Sequence, residues 1–471
     1  MDKREFVIES QSEIERELIS KPDISNLQNC IQDVKDATLD SDSGPTDPTD
    51  YNQLLKRLKA CEQTLPPLYR KAVFDPYINN LEKIGKEEFD KILALDPRKE
   101  RLGGLIFDIA HAILQNGEGY NKKATDAFQE VVCDLIDGFI SAEDRKNVKP
   151  PDKSVIAPLV KWGNPLHGPY TWTIGATSIL EVETAIVNLP PANAKYGLLA
   201  WAALAHETVG HDILHADTGL LTELKYAVWN ALTEQNIGSG LPEYWASRID
   251  ETASDVLGIL NIGPAAGIGL IGYFRGLNYA FTGKPVLRNI GPQNDYHPAD
   301  IIRGYLAASA VRLLNFKGAK EWAQIIEDET NKDLSTIRLA GTVVSVEEAR
   351  ESARIVASTI MRTKLKSLEN HQLDQIQNWY DDDENIANQL RSYLSTTTPL
   401  PITYASGVYA AHVVAAAVVE ATSKDADISF IFERMLDILK TMHDANPTWA
   451  NFYIEHPGDI VPRKVYLNFV Q

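Results

Sequence analysis

Cysteine is scarce in this 471-residue chain: Cys30, Cys61 and Cys133 are the only three, far apart and odd in number. They make no CxxC pair and no disulfide framework, which points to a reducing compartment. Long apolar runs are also missing. The longest, 261–274 and 408–421, are shorter than the about 20 residues a membrane-spanning helix needs, and they read as buried helices. Stable membrane insertion is not expected. Basic residues are too few to balance the acidic ones. With 46 Lys and Arg against 65 Asp and Glu, the net charge of −19 argues against a nucleic-acid partner. The first twenty residues, MDKREFVIESQSEIERELIS, carry charge throughout and no apolar stretch of the secretory type. The expected location is cytoplasmic.

What is present is helical. Apolar residues make up 44% of the chain, enough for sizeable cores. Helical periodicity runs over 3–20, 51–63, 66–95, 98–116 and 122–141, with a polar loop at 40–50. A charged, proline-paired segment at 142–153 marks a boundary. The stretch 170–191, rich in Thr, Ile, Val and aromatic residues, is the clearest strand signal. A long helix is expected from about Ala192, then helices over 219–234, 242–260, 264–282 and 298–316, and more beyond. The fold class is mainly α: a helical core with a small β element over 151–320, flanked by helical regions over 1–150 and 321–471.

Three of the ten histidines crowd into LAHETVGHDILHAD, residues 204–217. Residues four apart on an α-helix are offset by about 40° and can face one ion, whereas residues five apart are offset by about 140°. His206 and His211 therefore share a metal only if a π-type turn absorbs one residue between them. Gly210 would ease such a turn. The regular alternative is the stripe Glu207, His211 and His215, which meets a metal without any distortion.

Two further segments bear on this cluster. RIDETASDVLGIL (248–260) sets Glu251 and Asp255 one turn apart on a helix face. DYHPADIIRGYLAA (295–308) carries His297 and, six residues on, Arg303. A third, GIGLIG (267–272), matches the dinucleotide-binding glycine pattern but follows a helix instead of a strand, so close helix packing is the better reading. The third metzincin histidine has no counterpart, since His215 follows His211 by only four residues.

The order HExx(x)H, ExxxD, HPxxxxR resembles that of the gluzincin metallopeptidases of the HtpX and CAAX-prenyl-protease type. The spaced form HExxGH is similar to the motif of dipeptidyl peptidase III. The likeness spans about residues 200–305. It does not extend to the membrane helices of the first group or to the partner motif of the second. It implies Zn²⁺ held by His206, His211 and Glu251, with Glu207 as general base. It further implies Asp255 orienting a ligand histidine, Arg303 as partner of Asp255, and His297 facing the oxyanion. Tyr296 or Tyr305 would assist, and the strand at 182–188 would hold a peptide at its edge. The expected function is a zinc-dependent peptidase acting on a peptide or protein. The alternatives are a helical non-haem iron or manganese enzyme using Glu207, His211, His215, Glu251 and Asp255, or a non-catalytic protein that binds metal or partners.

Overall fold

The computed structural model describes residues 22–140, 148–153, 156–238, 240–401 and 408–449. The helix expected at 3–20 lies outside them. The fold is mainly α. Helices α1 (Leu27–Leu39), α2 (Tyr51–Ala60), α3 (Asp75–Leu95), α4 (Leu102–Glu118) and α5 (Lys122–Ile140) come first. Strands β1 (Leu159–Trp162), β2 (Tyr170–Trp172) and β3 (Ile186–Leu189) follow. Next come α6 (Leu220–Glu234), α7 (Ile249–Ile262), α8 (Pro264–Thr282), β4 (Ile290–Gly291), α9 (Asp300–Arg312) and α10 (Ala319–Lys332). β5 (Ile337–Leu339), β6 (Thr342–Val344), α11 (Val346–Arg362), α12 (Asp381–Leu394), α13 (Ala410–Thr422) and α14 (Ile428–Ala445) complete the order. No described helix is long and apolar enough to cross a membrane. All three cysteines are free and buried.

The first sheet, ordered β1-β3-β2, divides two cores. Alternate residues of a strand face opposite sides of its sheet. Leu159 and Ile186 point into one core with α2, α3 and α4. Val160, Trp162, Val187 and Leu189 point into the other, which gathers α1, α5 and the helices from α6 to α14. A second small sheet, β4-β5-β6, lies beyond α8.

Two segments depart from their sequence pattern. The 170–191 signal resolves into two short strands separated by helical turns, Ile174–Thr177 and Ser178–Leu180. Glu181 ends those turns with φ 60°. β-branched residues suit both the strands and the buried turn between them, so composition alone ran the two strands together. The long helix from Ala192 is likewise segmented: 3₁₀ turns at Pro191–Ala194 and Leu198–Ala202, an α turn at Ala203–Ala205, a π-helical turn at His206–Asp212, then α again to Ala216.

The π turn packs directly on α7. A Cβ on Gly210 would lie 2.4 Å from Cβ of Ser254, so the glycine is there for the close approach of two backbones. Its φ is not positive, and conformational freedom is not its role. GIGLIG is also a packing stripe: a Cβ on Gly272 would lie 2.4 Å from Leu199 Cδ1. Overpacking of this kind typically costs about 1–3 kcal/mol. Gly210→Val is therefore expected to lower the melting temperature and to pry the π turn from α7. A Gly210→Val protein that melts like the wild type would show that the contact is not needed.

Candidate metal centre

The π turn does what the spacing requires. It turns His206 and His211 to the same side, with ring centroids 4.8 Å apart and planes at 85°. α7 supplies the opposing acids. Asp250 and Glu251 sit in its first turn, where the helix dipole favours negative charge, and Asp255 follows one turn on. Donor atoms of His206, His211 and Glu251 lie within 4.8 Å of one another.

Each imidazole has its Nδ1 on a carboxylate. His206 Nδ1 is 2.9 Å from Asp255 Oδ1, and His211 Nδ1 is 3.0 Å from Asp250 Oδ1. Both Nε2 atoms are thereby aimed at Glu251, at 3.5 Å and 3.6 Å from its oxygens. Donors of a tetrahedral zinc site, each about 2.0–2.1 Å from the ion, are about 3.3 Å apart, close to these separations. Glu251 Oε2 is buried and accepts no hydrogen bond. An orphaned buried carboxylate oxygen is costly, and a cation between it and the two Nε2 atoms would satisfy it. The residues present fit a metal.

Asp255 is the anchor of the set. Its side chain is 1% exposed and its two oxygens accept 2.7 Å bonds from Nε and Nη2 of Arg303 on α9. Arg303 also stacks on Phe274, 4.6 Å from the ring centroid. Burial works to raise the Asp255 carboxyl, but Arg303 and His206 outweigh it and hold its pKa below the usual range. Glu251 is held down likewise, against burial, by His206, Arg303 and His211. Burial opposes a charge on His206, yet Asp255 and Glu251 push its pKa up to about 10. Arg303 Nη2 also lies 3.6 Å from Glu251 Oε2, so one guanidinium serves Asp255 and Glu251, while Asp250 pairs with His211 and His215.

Glu207 is buried beside the histidines and is tethered from β2. Thr171 Oγ1 donates to Glu207 Oε2 at 2.8 Å and to the Glu207 carbonyl at 3.1 Å. His215 turns its Nε2 to Asp250 Oδ2 at 3.0 Å and stands apart from the trio, so Asp250 clamps two histidines at once. His297 is half exposed at the cavity, its Nε2 3.5 Å from Glu251 Oε1 and its backbone N–H on Asp295.

The two expected tyrosines are elsewhere. Tyr296 is 82% exposed and does not line the cavity. Tyr305 is buried on α9 with its hydroxyl on Asn331 Oδ1. Tyr170 of β2, whose hydroxyl donates to Asp108 Oδ2 at 2.7 Å, lines the cavity, and so does Tyr273 of α8. Burial, and behind it the Glu207 charge, raise its pKa, so it stays a hydroxyl donor. The strand at 182–188 is not an edge either. β3 is paired on both sides, parallel to β1 and antiparallel to β2. β1 and β2 hold the edges of this sheet, and β2 is the one that Thr171 ties to the π turn.

Sequence reasoning passed over Asp250, Thr171 and Tyr273. Asp250 adjoins Glu251, but an acid at a helix N-terminus has an ordinary reading. Thr171 and Tyr273 sit in segments whose pattern speaks only of a strand and of helix packing. Comparison with protein-family models, curated proteins and solved structures finds no match to this chain.

Carboxylate partners of metal-bound histidines typically carry about 10–100-fold in metal affinity. Asp250→Ala is expected to weaken zinc binding in that range while the protein stays folded. Asp255→Ala should do the same and also strand Arg303, a loss typically worth about 3–5 kcal/mol. Zinc titration and thermal melts would separate the two, and unchanged affinity in both variants would refute the arrangement. Binding must also displace the proton from His206. At pH 8, where an unperturbed imidazole of pKa about 6.5 would release almost nothing, zinc uptake is expected to release about one proton per ion. Binding without proton release in weakly buffered solution would contradict this.

Proposed function

We propose that the protein is a metal-dependent hydrolase, and within that class a zinc peptidase. The observation that carries this reading is the aim of His206 and His211: each Nδ1 is held by a carboxylate, and the two Nε2 atoms face the two oxygens of Glu251, of which Oε2, on the His206 side, accepts no hydrogen bond. Two imidazoles and one carboxylate, with room for a further ligand, make the donor set of a catalytic zinc site. The ion, when bound, would supply Lewis acidity and a water of lowered pKa.

The chain's own groups account for the rest. Glu207 is not one of the three donors. It accepts a proton from the attacking water and passes it to the leaving amine. Thr171 holds one of its oxygens, which sets the direction of the other. His297 and the Tyr273 hydroxyl line the cavity and serve as donors to the oxygen on which charge develops. β2 lies against the π turn at its free edge, where an extended peptide backbone can pair with it. That edge favours a peptide over other acyl substrates.

Glu207→Gln is expected to keep zinc at the wild-type level and to lower peptide hydrolysis by about 10²–10⁴-fold. Metal analysis and assay of the same preparation test this. Loss of the metal would make Glu207 a ligand, and full activity would place the chemistry elsewhere.

A further inference from the structure

The cavity over the metal centre, about 700 Å³, has two chemically different walls. Its charged side chains come from the π turn, α7, α9 and the loop before α9. The facing wall is α8, where Tyr273 and Asn278 line the cavity beside an apolar stripe of Ala266, Leu270, Phe274, Leu277 and Phe281. Their spacing of four, four, three and four residues keeps them on one side of the helix over about 22 Å. The one charged residue of α8, Arg275, points away and pairs with Glu329 and Asp333, each at 2.7 Å. Other faces of α8 are packed so closely that glycines are required, against α1 at Gly276 and α10 at Gly267. The stripe is the face that packing leaves uncovered, and Phe281 at its end is 71% exposed.

The stripe is the second wall of the cavity that holds the ligand set. A molecule that reaches His206, His211 and Glu251 must lie along it. It offers no charge to pair with a polar side chain, so a buried Lys or Asp there would lose its hydration with no compensation. Phe274 is fixed in place by the Arg303 guanidinium over its ring, which ties the apolar wall to the carboxylate set behind the metal.

We propose that this stripe selects the substrate: a peptide with a bulky aliphatic or aromatic side chain next to the cleaved bond, seated on Leu270, Phe274 and Leu277. The proposal rests on the peptidase reading. Burial of such a side chain gives a discrimination of about 10–100-fold over a small or charged one.

The test uses zinc-loaded protein and peptides of one length that differ at a single position. Cleavage is expected beside Leu, Phe or Met at rates about 10–100-fold above those beside Gly, Asp or Lys. Leu277→Ala should cut that preference about tenfold, and Leu277→Glu should turn it toward Lys and Arg, both with unchanged zinc content. Binding of the same peptides to the Glu207→Gln protein supplies a readout independent of turnover. Tight binding of the apolar peptides with no cleavage by the wild type would support the stripe and sink the peptidase reading. Cleavage without side-chain preference, or a preference that Leu277→Glu leaves untouched, would overturn the stripe. Neither binding nor cleavage would overturn both.

Discussion

The candidate site depends on a single buried carboxylate. Asp255 takes two hydrogen bonds from Arg303 and a third contact from His206, and both the carboxylate and the guanidinium are almost wholly removed from water. A carboxylate at this depth is tolerable only with such partners. The partnership in turn dictates where α9, α7 and the π turn meet. It sets the His206 ring, and with it the direction of Nε2. Asp250 repeats the arrangement for His211 nearer the surface, where its side chain is 37% exposed. The inner clamp therefore bears on the fold and the outer one mainly on the site.

The same geometry explains the inserted residue. An unbroken α-helix would have pointed His206 and His211 apart. The π turn restores their alignment, and Ser254 of α7 seats against its glycine where a Cβ would not fit. The turn is held by packing on one side and by the Thr171 contacts on the other. Dense packing behind the histidine and carboxylate wall contrasts with the uncovered stripe of α8 facing it. Ligand sites generally combine a mostly apolar lining with a few placed polar groups, and this cavity has both.

Much of the helical framework was legible from periodicity. α2, α4, α5, α6 and α8 lie where apolar spacing and turn residues put them. The 66–95 pattern was interrupted by a π turn at Arg70–Phe74 and by Gly85 at φ 67°, and the 242–260 pattern by a short loop before Ile249. Such breaks leave hydrophobic periodicity nearly unchanged, so the pattern does not register them. At the site, His206, His211, Glu251, Asp255 and Arg303 could be named because their chemistry and order are unusual for plain helices. Tyr296 could not be excluded in the same way. Its neighbour His297 reaches the cavity, and one residue further back along the loop the side chain points into water.

By itself the sequence determined the mainly α class of the fold and the segment that gathers the histidines, and it left two alignments open, a wide turn that joins His206 to His211 or a regular stripe of Glu207, His211 and His215. These follow from local geometry: periodicity, residue spacing and the cost of leaving a histidine pair misaligned. Only the tertiary structure decided the rest. It made Asp250 the clamp on His211, set Thr171 on Glu207 and brought Tyr273 instead of Tyr296 into the cavity. It also gave the free edge to β2 and not to β3. Each of these is a contact between segments about 30 or more residues apart, or a choice of sheet neighbour. No local propensity encodes them, because they are set by which faces the two cores leave available.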